Sequence, residues 1–261
     1  MADASTVANG VQRDRLIVLA AVAAATVVAW IYVVNRAQGM SDMGAMGGAA
    51  QEQMTAWTMV DLLVLFVMWT IMMIGMMLPS AVPLILNFAS ETRQERQETG
   101  VLAPTAALVL GYVAVWTGFS VVATIGQWAL HEAALISPMM VSTSPVLSGI
   151  LLLAAGIYQL TPMQYNLLKR CRQPLQFLRL NWREGTGGAF VMGLEHGAYC
   201  LGCCFVLMGI LFFGGVMNLL LLAAVTVFVL IEKALPYGNI AGRVSGPLLI
   251  AAGVYVLAVQ P

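Results

Sequence analysis

Charge is what this chain has least of. Twelve Lys or Arg and twelve Asp or Glu make 9% of its 261 residues, against about 25% in an average soluble protein. The two signs cancel, so there is no basic field of the kind nucleic acid requires and no acidic tail, and nucleic-acid binding is set aside. Histidine is nearly absent, with two residues, and the four Cys are unevenly spread, which excludes a secreted disulfide framework. In place of charge, 60% of the residues are apolar, well above the usual range, and the mean hydropathy is +0.87. That excludes an ordinary cytosolic enzyme and points to an all-α, polytopic integral membrane bundle. Against the scarcity of His and Cys stands an abundance of Met, seventeen in all.

A membrane-crossing helix needs about 20 mostly apolar residues. Seven stretches qualify: Leu16 to Val34, Trp57 to Leu78, Pro104 to Leu130, Pro145 to Tyr165, Gly188 to Phe212, Val216 to Leu235 and Arg243 to Val259. The first exceeds the apolar core of a signal peptide and no cleavage site follows, so it reads as an anchor helix. Placing the amino terminus in the cytoplasm puts every Lys and Arg except Arg36 on the inner side, as the positive-inside rule demands. The expected protein is therefore a multi-pass protein of the cell inner (plasma) membrane, with its carboxyl terminus outside. Residues 1–56 form an anchor helix with a Met- and Gly-rich outer loop, and residues 57–261 a six-helix domain. The loop from Leu167 to Gly187 is basic, with Pro174 and Trp182, and suits a short amphipathic segment at the inner headgroups.

The fifth stretch carries Gly193-Leu-Glu-His-Gly-Ala-Tyr-Cys-Leu-Gly-Cys-Cys204. Residues three or four apart share a helix face, so Met192, His196, Cys200, Cys203 or Cys204, and Met208 form one stripe. Cys200 lies twelve residues beyond Gly188, about 18 Å along the helix, near the middle of a bilayer. The second stretch places Met68, Met72 and Met76 on one stripe and Met73 and Met77 on the next, while Pro79 and Pro83 are expected to kink or break the helix. Two sulfur patches at matching depth can face each other. Soft thiolate and thioether ligands select Cu(I); Cys with His also suits zinc, where Met contributes little. The Met content favours Cu(I).

Each feature has a plainer reading beside it. Met stripes also fill gaps in cores, and an isolated buried Cys is commonly an inert small hydrophobe. Cys171, alone in the basic inner loop, reads as structural or incidental. Met40, Met43 and Met46 repeat every three residues in a Gly-rich outer loop, which is either a Cu(I) collector or a mobile linker. Glu195 is either a carboxylate that orients a metal ligand or a solvated one, and Glu232 and Lys233 pair or anchor at the interface at the end of the sixth stretch.

The run Met68-Trp-Thr-Ile-Met-Met-Ile-Gly-Met-Met-Leu-Pro-Ser-Ala-Val-Pro83, the segment Gly156-Ile-Tyr-Gln-Leu-Thr-Pro162 leading to Lys169-Arg-Cys-Arg-Gln-Pro174, the core Tyr199-Cys-Leu-Gly-Cys-Cys204 and Glu232-Lys-Ala-Leu-Pro236 resemble a bacterial family described as predicted metal-binding integral membrane proteins. The resemblance covers Trp57 to the carboxyl terminus. It implies a membrane metal-binding protein with Cys200, Cys203, Cys204 and the Met cluster as hallmark positions. Phe205 stands where relatives often have Trp, and Glu195 where a basic residue is common.

The expected function is Cu(I) binding within the bundle by Cys200, Cys203, Cys204, His196, Met72, Met73, Met76 and Met77. Met40, Met43, Met46, Met68, Met192 and Met208 act in capture or relay, and the ion is transported or passed to a partner membrane metalloenzyme or metallochaperone. No catalytic residue is assigned. Two other readings stand beside it: a membrane thiol-disulfide oxidoreductase using Cys200 with Cys203, and a non-catalytic accessory subunit of a membrane enzyme complex.

Overall fold

The computed structural model describes residues 4–45, 57–94, 100–135, 144–235 and 238–259. Among these every regular element is a helix: α1 (Ala4–Ala45), α2 (Met59–Gln94), α3 (Leu102–Glu132), α4 (Pro145–Gln159), α5 (Pro162–Arg172), α6 (Pro174–Asn181), α7 (Gly185–Gly209), α8 (Leu211–Gly214), α9 (Leu219–Ala234) and α10 (Gly238–Val259). Five stretches are long and apolar enough to cross a membrane, within α1, α2, α3, the α7–α8 unit and α10. Large apolar side chains such as Leu63, Leu110, Val122, Leu220 and Leu248 point outward, an apolar exterior of the kind that marks a membrane-facing surface.

Two of the seven expected spans come out differently. The stretch from Pro145 to Tyr165 is broken: α4 ends at Gln159 and α5 leaves at 66°, so the pair counts as a sixth span only if taken together. Thr161 accepts a hydrogen bond from the Gln164 N–H at 3.2 Å and Pro162 occupies the first helical position of α5, the chemistry of a fresh helix start. The stretch from Val216 to Leu235 shortens to the 16 residues of α9, about 24 Å, because Asn218 caps it by accepting from the Leu221 N–H at 3.2 Å. At the other end of the chain, α1 runs on through Gly39 to Ala45. Met40 and Met43 therefore lie on its last turns instead of in a loop, since Met and Ala sustain a helix. Met46 lies outside the described residues.

The prolines of α2 do not break it. The helix passes through Pro79 and Pro83 without interruption, and neighbouring side chains serve its carbonyls. Pro79 has no N–H to give the Gly75 carbonyl, and the Trp30 indole of α1 donates to it at 3.2 Å. Two residues on, Met77 O takes additional bonds, from Ser80 Oγ at 2.7 Å and from the Tyr112 hydroxyl of α3 at 3.0 Å. At the far end of α2 the Arg93 guanidinium pairs with buried Asp14 of α1. With Asp14 opposite Arg93 and Trp30 opposite Gly75, α1 and α2 run antiparallel. Asp61, at the start of α2, closes a reciprocal cap with Thr58, accepting from its N–H at 2.9 Å and its hydroxyl at 2.7 Å.

Helices α3 and α7 approach closely. A Cβ at Gly111 would strike the Phe190 carbonyl, and one at Gly193 the Leu108 carbonyl, so the two backbones touch through facing glycines. Gly197 continues the contact against Val115, whereas Gly209 has nothing nearer than Leu151 at 3.8 Å. Helices α4 and α10 meet in the same way, through Gly156 against the Gly246 carbonyl. Close approach through small residues lets dispersion forces accumulate where burial of apolar surface alone gives helices little preference for one another. Replacing Gly193 by Ala should lower stability by about 1–3 kcal/mol, seen as a reduced thermal midpoint of the detergent-purified protein. Gly118→Ala on α3, where nothing lies within 4 Å, should leave the midpoint unchanged or slightly raised.

Candidate metal centre

Helix α7 turns one face wholly inward. Met192, His196, Cys200, Cys203, Cys204 and Met208 are all buried, none more than 3% exposed. The stripe read from helical spacing is therefore the buried face of this helix. It is a line and not one coordination sphere, because Met192 and Met208 each stand eight residues from Cys200, about 12 Å along the axis. Met192 is also engaged elsewhere, its sulfur accepting the Arg183 N–H at 3.3 Å.

The thiols gather further partners from three other helices. Cys171 of α5 brings its sulfur to 3.9 Å from that of Cys203, so all four cysteines of the chain belong to one neighbourhood, and all are free thiols. Its reading as incidental is thereby corrected. A separation of 32 residues hides this contact from any periodic pattern, although the basic segment around Cys171 sits among the resemblance motifs. The second addition is Lys233 of α9, whose Nζ lies 2.8 Å from Cys200 Sγ and 3.9 Å from Cys204 Sγ. It also reaches Ser80 Oγ of α2 at 3.5 Å. Lys233 is thus no interfacial anchor and does not pair with Glu232. The third is Tyr112 of α3, buried, with its hydroxyl 3.0 Å from Cys200 Sγ while it donates to Met77 O. Tyr112 carries no mark in the sequence and Lys233 only its place in the Glu232–Pro236 motif of the resemblance, since each becomes polar company for sulfur only through tertiary packing.

The remaining thiols are turned onto their own helix. Cys203 Sγ and Cys204 Sγ donate to the Cys200 carbonyl at 3.0 and 2.9 Å. Such bonds hold the protonated thiol in place, and a metal would have to replace them, since the metal ligand is the thiolate. His196, one turn before Cys200, packs its ring 6.2 Å from that of Tyr112 and 5.3 Å from that of Phe177. Its Nδ1 is buried and without a hydrogen-bond partner, a vacant ligand position on the inner face. Among the described residues no group of three or more His, Cys, Asp or Glu is assembled tightly enough to hold an ion. Instead of a closed cage, the structure shows thiols held apart by a lysine and by backbone bonds.

The methionine patch of α2 is equally buried: Met68, Met72, Met73, Met76 and Met77 are each 4% exposed or less. Its members divide by neighbour. Met72 and Met76 line a narrow gap with Trp30 and Val33 of α1 and Leu222 of α9, while Met77 meets the thiol neighbourhood through its carbonyl and Tyr112. The two sulfur patches thus share one core, joined by a tyrosine and a lysine. Two peripheral residues fall into ordinary roles. Glu195 takes a surface ion pair from Arg183 at 2.7 Å, and His131 packs its ring 4.7 Å from Trp57.

A family model described as PpoB2, copper chaperone, matches residues 66–256. That stretch holds all four cysteines, His196, Tyr112, Lys233 and the α2 methionines, and leaves out α1 with Met40 and Met43, as well as Met46. No curated protein and no solved structure matches the chain. The match spans well over half of the sequence, and the chain belongs to the PpoB2 copper chaperone family.

Proposed function

We propose that the protein carries copper as Cu(I) inside its helical bundle and passes it to a partner metalloenzyme. The observation that carries this reading is the gathering of Cys171, Cys200, Cys203 and Cys204 in one neighbourhood, with the ammonium of half-buried Lys233 against Cys200 and Cys204. Copper here is cargo. Thiolate and thioether donors prefer Cu(I) to harder ions, and Cu(I) is content with two or three ligands, so it does not require the four-ligand cage that zinc would.

Charge explains why a lysine belongs there. Two thiolates with one Cu(I) carry a single negative charge, and the ammonium of Lys233 cancels it. An isolated charge in an apolar interior costs several kcal/mol, so the neutral set of thiolates, copper and lysine is the one that the bundle can hold. Loading draws Lys233 away from the lone pair it occupies on Cys200 and releases the thiol protons of Cys203 or Cys204 from the Cys200 carbonyl. His196 Nδ1 supplies a further ligand one turn away. From there the thioethers of Met77, Met73, Met76 and Met72, then Met68, offer weaker soft ligands in sequence along α2, so that copper moves by stepwise exchange. Met192 and Met208 extend the same path along α7, and Met40, Met43 and Met46 form the outer collector. No nucleotide motif accompanies this path, and exchange between ligands of similar softness needs none.

A second reading rests on one distance. The 3.9 Å between Cys171 and Cys203 is short enough for a modest side-chain movement to join them, the chemistry of a thiol-disulfide oxidoreductase. If that were the activity, a mixed disulfide with a partner protein would be trapped by Cys203→Ser or Cys171→Ser, and Cu(I) chelation would not diminish it.

Copper content separates the two. Detergent-purified protein loaded with Cu(I) under reducing conditions should retain copper, and Cys200→Ser/Cys203→Ser/Cys204→Ser should lose it; copper retained in full by the triple variant would exclude the thiol site. Lys233→Met should weaken Cu(I) binding by about tenfold to a hundredfold, the equivalent of one charge-assisted contact of about 1.5–3 kcal/mol. Competition with a chromogenic Cu(I) chelator measures the effect, and Lys233→Arg should recover part of the loss because it restores the charge.

A further inference from the structure

Beside the break between α4 and α5 lies a cavity of about 370 Å³. Gln159, Thr161, Gln164, Tyr165, Glu232, Gly242 and Arg243 line it. Glu232 is fully buried. One carboxylate oxygen accepts from Gln164 Nε2 at 3.0 Å, while the other, Oε2, has no hydrogen-bond partner. Gln159 is buried as well, and its Oε1 is also without a partner, its amide nitrogen donating to Ser245 Oγ at 3.5 Å. The two groups lie close: Glu232 Oε1 and Gln159 Oε1 come within 2.9 and 4.0 Å of the position that a Cβ would take at Gly242.

The Gln159 side chain also hydrogen-bonds the Glu232 carboxylate, which leaves Oε2 as its unpaired oxygen, and a buried carboxylate oxygen left unpaired is costly. Intramembrane carboxylates are as a rule paired or functional. The backbone adds to the field, because the broken helix directs the carbonyl end of α4 towards this region, the arrangement by which discontinuous helices coordinate Na⁺ in transporters. We infer that Glu232, Gln159 and the broken α4–α5 turn form a binding site for a small hard monovalent cation, distinct from the sulfur centre. One carboxylate and neutral amide and carbonyl oxygens match a single positive charge. Gly242 leaves the space for it, and Arg243, exposed at the rim, is the other charged group that faces the cavity. This inference does not rest on copper binding, since its ligands are all oxygen.

Thermal unfolding of the full-length protein in detergent tests it, with Na⁺ and K⁺ chlorides compared with choline chloride at equal ionic strength. A ligand that binds only the folded state raises the midpoint with its concentration, and a saturable rise of about 2–4 °C is expected for Na⁺ or K⁺ over choline. Glu232→Gln should abolish the rise, and Gln159→Leu should shift its half-saturation at least tenfold upward. The rise should persist in Cys200→Ser/Cys203→Ser/Cys204→Ser, so that failure of the thiol centre and failure of this site are told apart. Equal midpoints in all three salts would overturn the proposal, as would a rise that survives both Glu232→Gln and Gln159→Leu. A midpoint that follows pH identically in every salt would make the occupant a proton and overturn it too. If Arg243→Gln lowered the midpoint and created the alkali-cation response for the first time, Arg243 would be the resident partner of Glu232, and the site would be overturned for the native chain.

Discussion

A half-buried lysine whose ammonium lies 2.8 Å from a cysteine sulfur makes the contact on which the arrangement of five helices depends. In an interior this poor in charge, an ammonium group needs partners on every side from which water is excluded. Lys233 finds them on α7, in Cys200 and Cys204, and on α2, in Ser80. Cys200 in turn is shared with Tyr112 of α3, and Cys203 with Cys171 of α5. Each of these helices is held at the depth where its one polar group meets the others. The thiol neighbourhood is thus both the candidate site and the polar key that sets helix register.

The same need to satisfy polar groups internally governs α2. Two prolines deprive it of N–H donors in a place where water cannot stand in, yet the helix stays continuous: an indole from α1 reaches the Gly75 carbonyl that Pro79 leaves without its donor, and a hydroxyl from α3 ties Met77 O to the neighbouring helix. Buried Trp69 follows the rule with Gln127, whose Oε1 accepts its N–H at 2.7 Å. These bonds are directional, unlike the packing around them. They fix which face of α2 looks towards the thiols: Tyr112 can touch Met77 O and Cys200 together only if α2 and α7 present those two residues at one level on either side of α3. The facing glycines of α3 and α7 make that possible by bringing the two backbones into contact.

How much of this was legible in the sequence follows from the range of each signal. Helical periodicity is local, and it identified the buried face of α7 and the five buried methionines of α2 residue by residue. The break at Leu160 and Thr161 had a local signal too, a capping threonine followed by Pro162, but the apolar run from Pro145 to Tyr165 is continuous in hydropathy and conceals it. Cys171, Tyr112 and Lys233 were not legible as partners. A cysteine in a basic loop, a tyrosine in an apolar helix and a lysine at a helix end each have an ordinary local reading, and only tertiary packing brings them to the same sulfur atoms. The expected meeting of the Met and Cys patches is realised indirectly, through a tyrosine and a lysine, since α3 lies between α2 and α7.

Helix α9 brings the two chemistries of the molecule within one residue of each other. Successive residues on a helix are rotated by about 100°, so Glu232 and Lys233 cannot face the same way. Glu232 turns to the amides of Gln159 and Gln164, and Lys233 to the sulfurs of Cys200 and Cys204. Oxygen donors suit hard cations and sulfur donors soft ones, so a carboxylate centre and a thiol centre on adjacent residues need not compete for the same ion. They do share a backbone. A change that moves Lys233 away from Cys200 rotates or shifts the end of α9, and the carboxylate one residue before it must move as well. In a chain with so few charges, placing two of them side by side and aiming them at opposite kinds of ligand ties the two neighbourhoods together through a single rigid element.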